Sequence, residues 1–147
     1  MVQLHVERTI AAPASRVFDW LAEPANFTSS VASWIGFTAG YVGGPGPEIG
    51  AVREVNWLGK TWFRDEITAY DRPRSYSYLV TRAFPSVDHL DATMTFTDLA
   101  DGTHVDWVST FTYPLRTGGK AMDAIGSRLV RRSFLSILAR CADALER

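Results

Sequence analysis

One cysteine, Cys141, is all the chain contains, which excludes an intrachain disulfide and a thiolate zinc site. A reducing compartment is the expected setting, and the protein is read as cytoplasmic. No stretch approaches the ~18 uninterrupted apolar residues of a membrane span. The start, MVQLHVERTI, has neither the basic region nor the apolar block of a signal peptide. Stable membrane insertion is therefore not expected. An excess of positive charge is also missing: 15 Lys and Arg against 16 Asp and Glu leave a formal net charge of −1. Nucleic-acid partners normally require a strongly basic surface, so none is expected. The stretch GGPGPEIG lacks the lysine and following helix of a phosphate loop and is read as an entrance loop. A Gly-x-Ser-x-Gly nucleophile elbow is likewise missing.

What the sequence does hold is 147 residues with 46% apolar content, enough for one domain spanning 1–147 with a sizeable core. Val2 to Ile10 alternates apolar and polar residues and reads as a strand. AAPASRVFDWLAEP places Pro13 at a first helical turn and Val17, Phe18 and Leu21 on one side, with Pro24 closing a short helix. A second short helical turn is expected through ANFTSS. From Trp34 to Tyr113 six strands follow one another, separated by turn-rich segments such as LGK, DRPR, FPSVD and ADG. Beyond Pro114, Met122, Ile125, Leu129, Phe134, Ile137, Leu138, Cys141 and Leu145 recur near helical spacing and predict a long amphipathic terminal helix. The fold class is α+β: a seven-stranded curved antiparallel sheet gripping a long C-terminal helix, with two short helices after the first strand.

ERTIAAPASRVFDWLAEPANF, GAVREV, DEITAYDRPRSYSY, DATMTFTDLADGTHVDWVSTFTYP and the closing helix together resemble the START-like (SRPBCC) helix-grip superfamily, most closely its polyketide cyclase/dehydrase branch. The resemblance covers nearly the whole chain. It implies a cavity between sheet and helix that binds apolar or aromatic small molecules. Members include lipid carriers, hormone receptors and aromatase/cyclases, so the resemblance carries the fold further than any one activity. GAVREV resembles a stretch of plant hormone receptors, but the hairpin NWLGKTW is shorter than their gating loop.

Strand alternation then proposes which side chains face that cavity. Val105, Trp107, Ser109 and Phe111 share one face of the seventh strand, and Leu90, Ala92, Met94 and Phe96 one face of the sixth. Tyr76, Tyr78 and Val80 set the phase of the fifth strand and carry Arg82 and Phe84 inward. If Trp57 to Gly59 form a three-residue hairpin loop, residue 56 pairs with 60, and Arg53 and Val55 share the face of Phe63 and Asp65. Two inward charges must pair or be wetted, because a lone desolvated charge costs several kcal/mol. Arg53 and Asp65 are thus either a structural ion pair or, with Arg82, Tyr78 and Ser109, a polar patch that orients a ligand's oxygen-bearing end. The ligand's body would lie against Phe63, Met94, Phe96, Trp107, Phe111 and the helix side bearing Met122 and Leu129.

The leading reading is a binding protein for a lipid, polyketide or other aromatic metabolite, with no cofactor. The alternative is an aromatase/cyclase or dehydratase with Asp65 as base, Tyr78 as acid and Arg53 and Arg82 stabilising an enolate. His5, His89 and His104 are placed on outward-facing strand positions without metal-ligand spacing, so no metal is expected. Trp57 and Trp62 on the hairpin would suit a homodimer interface or a cap on the cavity mouth.

Overall fold

Strand β1, Val2–Ile10, buries Leu4, Val6 and Ile10 and turns His5, Glu7 and Thr9 to solvent, as its alternation predicts. The computed structural model describes residues 2–27, 36–43, 46–58, 60–83 and 86–146, with backbone alone for Phe37, Trp57, Trp62 and Leu90. After β1, Pro13 accepts the first helical hydrogen bonds from Arg16 and Val17 (3.0 and 3.1 Å), and helix α1, Ala14–Ala22, packs Val17, Phe18 and Leu21 fully out of solvent. The second short helix is a single 3₁₀ turn, Pro24–Phe27; the rest of the ANFTSS segment, and the Trp34 start expected for the next strand, lie outside the described residues.

Strands β2 (Phe37–Tyr41), β3 (Val52–Trp57), β4 (Lys60–Asp71), β5 (Ser75–Ala83), β6 (Asp88–Leu99) and β7 (Gly102–Thr112) form an antiparallel meander. The order β1-β7-β6-β5-β4-β3-β2 places β1 beside β7 at one edge. Helix α2, Gly119–Leu145, covers the sheet's inner face. Its buried stripe runs through Gly126, Ile137, Leu138, Cys141 and Ala142, not through Ile125 and Leu129. The reason lies at Gly126: a Cβ there would sit 2.5 Å from the Tyr113 ring, so this bare turn packs directly on Tyr113, just past the end of β7.

Aromatic packing closes one half of the interior. Phe18 meets Tyr70 and Tyr76 edge-on, both at 5.4 Å, and Phe96 at 5.1 Å, in one continuous core with Met94, Val105, Trp107 and Leu138. Such pairs add about 0.5–1.5 kcal/mol each beyond burial.

Bulges set the phase of the remaining strands. The expected three-residue hairpin is replaced by a tighter one in which Trp57 pairs with Lys60 and Leu58 takes the left-handed conformation (φ 51°). A bulge between Val55 and Asn56 then puts Arg53 directly opposite Asp65 instead of diagonal to it. Further bulges lie between Arg64 and Asp65, between Ile67 and Ala69, and between His89 and Asp91. Each extra residue flips the faces of the strand positions beyond it.

A candidate ligand cleft beside a closed ion pair

Arg53 and Asp65 are 2% and 3% exposed, so both charges of the third and fourth strands do face inward. There they satisfy one another: Arg53 Nε and Nη2 donate to the two Asp65 carboxylate oxygens at 2.8 and 3.1 Å. Nη1 reaches the Tyr76 hydroxyl at 3.4 Å, and that hydroxyl donates to the Leu21 carbonyl at 2.8 Å. The rings of Phe27, Tyr76 and Tyr78 lie 5.0–5.6 Å from the guanidinium carbon, within cation–π range. Burial works against the charged guanidinium, but Tyr76 and Asp65 outweigh it and hold Arg53 protonated. Burial pushes the Asp65 carboxyl above its usual range, with Arg53 opposing. The group is a clamp joining β3, β4 and β5 to the end of α1.

The opening lies further along the sheet. A cleft of about 280 Å³ separates α2 from β4–β7, walled by Phe63, Val80, Ala83, Val87, Phe111, Tyr113, Val130 and Phe134, with Tyr78, His89, Ser109 and Ser133 as its polar members. Trp107 stacks on Phe134 at 3.8 Å just behind this wall and donates its indole N–H to the Tyr78 hydroxyl at 2.8 Å. His89 stacks on Tyr78 at 5.9 Å. The Val80 N–H donates to His89 Nδ1 at 3.1 Å, so Nδ1 is the unprotonated nitrogen and Nε2 carries the hydrogen. Nε2–H accordingly donates to Ser109 Oγ at 3.2 Å. This direction leaves the Ser109 hydroxyl hydrogen free to donate elsewhere, and it is the reverse of what a serine nucleophile needs from its base. Burial lowers the His89 pKa below its ordinary value and raises that of Tyr78, so both stay neutral.

The structure scatters the predicted site residues over several places. Phe63, Tyr78, Ser109 and Phe111 line the cleft. Arg53 and Asp65 form the clamp, Met94, Phe96 and Trp107 belong to the closed core, Val55 is half-buried opposite Phe63, and Met122 packs with Leu4, Phe111 and Tyr113. Arg82 and Leu129 are corrections. The bulge between Arg64 and Asp65 makes Thr81 an extra residue, so Arg82 turns outward beside Arg64 while Ala83 takes the inner place. Leu129 is 60% exposed because α2 is rotated onto Gly126 and Val130.

His89 is the residue that the outward assignment missed. With Leu90 as the extra residue of its bulge, His89 comes to the same face as Ala92. Gly50, the last residue of the expected entrance loop, and the Ala51 that follows it are laced to Ile67 by hydrogen bonds of 2.8 and 2.9 Å, and none of the loop's described residues lines the cleft. Phe84 and the side chains of Trp57 and Trp62 lie outside the described residues. Cys141 is a buried thiol whose pKa burial pushes up to about 12, which keeps it unreactive.

Residues 1–146 match the sequence profile of the family described as polyketide cyclase / dehydrase and lipid transport. The chain belongs to that family. Membership agrees with the superfamily resemblance carried by the sequence motifs, and solved structures repeat the fold. A Nitrosospira multiformis protein superposes with a TM-score of 0.63 at 20% identity, over 98% of this chain and 96% of its own. Ara h 8.0201 gives 0.68 at 15% identity, over 97% and 96%. The Aha1 dimer of Colwellia psychrerythraea gives 0.66 at 12% identity, over 99% and 97%. No curated protein matches the chain. Among the described residues, no helix is long and apolar enough to cross a membrane.

Proposed function

We propose that the protein binds a small, mostly apolar molecule through a neutral acceptor oxygen, with the body of the ligand between α2 and β5–β7. The family description, which joins polyketide cyclases and dehydrases with lipid transport, supports a hydrophobic ligand. The observation that carries the finer reading is the Ser109 hydroxyl, which already accepts from His89 and has its own hydrogen to offer into an apolar cleft. No described arginine or lysine lines that cleft, so its chemistry suits a ketone or similar carbonyl better than a carboxylate. An apolar cavity of ~150 Å³ accepts a benzene. At about 280 Å³, this one has room for about two fused rings.

The rival assignment of Asp65 as base and Tyr78 as acid draws no support from the geometry. Asp65 has both oxygens on Arg53, Arg82 is exposed, and Tyr78 is a phenol made less acidic by burial.

Quenching of tryptophan fluorescence by 2-acetylnaphthalene tests the reading, because Trp107 lies against the cleft wall. Saturable quenching is expected. Ser109→Ala should weaken the ketone by about 1 kcal/mol, roughly fivefold, and leave 2-ethylnaphthalene unchanged. Ser133→Trp should fill the cleft and abolish both. If neither naphthalene binds, or if Ser133→Trp has no effect on binding, the cleft is not the site.

A further inference from the structure

On the sheet's outer face, remote from the cleft, β1 and β7 bring together side chains that lie about a hundred residues apart. Glu7 and Asp106 are direct cross-strand partners, and like charges so placed are destabilising unless something positive lies between them. Two imidazoles converge on this pair. His5 Nε2 is 2.9 Å from Asp106 Oδ1 and 3.4 Å from Glu7 Oε2; His104 Nε2 is 3.6 Å from Asp106 Oδ1 and 3.9 Å from Glu7 Oε1. Donor atoms of His5, Glu7 and Asp106 all fall within 4.8 Å of one another. Bonds of roughly 2.0–2.2 Å to zinc place tetrahedral donors about 3.3–3.6 Å apart, so small side-chain rotations suffice for these three, while His104, outside that close set, needs a larger swing of its ring to become the fourth ligand. Thr9 Oγ1 lies 2.9 Å from His104 Nδ1 and can fix that ring with Nε2 toward the carboxylates, the outer support that ligating histidines normally have.

We infer that His5, Glu7, Asp106 and His104 form a binding site for a borderline first-row divalent cation such as Zn²⁺, pinning edge strand β1 to β7. Mixed imidazole and carboxylate donors select Zn²⁺ or Cu²⁺ over Mg²⁺ and Ca²⁺, which prefer oxygen alone. Motif spacing cannot reveal such a set, because its two halves come from opposite ends of the chain and meet only through strand register.

Calorimetric titration of tag-free protein with Zn²⁺ tests the site. One ion per chain is expected, with Kd tighter than about 100 μM and no comparable heat from Mg²⁺ or Ca²⁺. His5→Gln, His104→Gln and Asp106→Asn should each weaken Zn²⁺ by at least about tenfold. All three positions are at least partly exposed, so far-UV circular dichroism should stay unchanged. The inference is overturned if the native protein shows no saturable Zn²⁺ binding, if Mg²⁺ binds as well, or if His5→Gln retains full affinity.

Discussion

Removing the Asp65 carboxylate is the sharpest perturbation of the clamp. Arg53 would keep a charge at 2% exposure and lose its two best hydrogen bonds, with only the 3.4 Å contact to Tyr76 and three ring faces in compensation. Breaking a buried pair this way costs about 3–5 kcal/mol. That is about a fifth or more of the ~5–15 kcal/mol by which a domain is stable. With a urea m-value of about 2 kcal/mol/M, Asp65→Ala should lower the denaturation midpoint by roughly 1.5–2.5 M. The paired change Arg53→Met with Asp65→Leu removes both charges and should restore most of the loss. Neither side chain lines the cleft, so the paired variant should bind 2-acetylnaphthalene within about twofold of the native protein. A cost for Asp65→Ala under about 1 kcal/mol would mean that water already reaches the pair. A stable paired variant that no longer binds would make these residues ligand anchors and refute the division drawn between clamp and cleft.

Two further outcomes rest on single residues. A Cβ at Gly102 would lie 2.3 Å from the Ile10 carbonyl oxygen, a backbone atom held by β1 pairing, so Gly102→Ala should lose about 1–3 kcal/mol in thermal or urea unfolding; an unchanged protein would show that this junction yields freely. Burial holds the His89 pKa below 6.5, so its share of stability is complete above that pH. It declines as the pH drops, because the unfolded chain takes up a proton that the folded site refuses. His89→Gln should therefore melt with a shallower pH dependence than the native protein between about pH 7.5 and 5.5, and parallel curves would contradict the neutral tautomer.

Much of the architecture was legible because hydrophobic period and turn chemistry agree. Val105, Trp107, Ser109 and Phe111 occupy one buried face of β7 as alternation requires, and the inward placement of Arg53 and Asp65 followed from the same rule. Bulges are where alternation fails, since an inserted residue leaves no mark in composition. Thr81 and Leu90 are ordinary strand residues, yet they send Arg82 out and bring His89 in. The first half of α2 misled for another reason. Gly126 carries no hydrophobic signal, so the apolar side chains of Ile125 and Leu129 outvoted it, whereas the approach of Tyr113 fixes the helix's rotation. Nor does a sequence distinguish a filled interior from a partly empty one: Trp107 and Phe111 read alike, but one is sealed behind Phe134 and the other borders open space.

The arrangement of an ionic clamp tied to α1 and a greasy hollow walled by α2 separates two kinds of change. Replacements at Val80, Val87 or Val130 alter the shape of the cleft without touching the contacts that anchor α1 to the sheet. Under the proposed function, a lineage built on this scaffold is able to drift from one ligand to another while its foundations stay as they were.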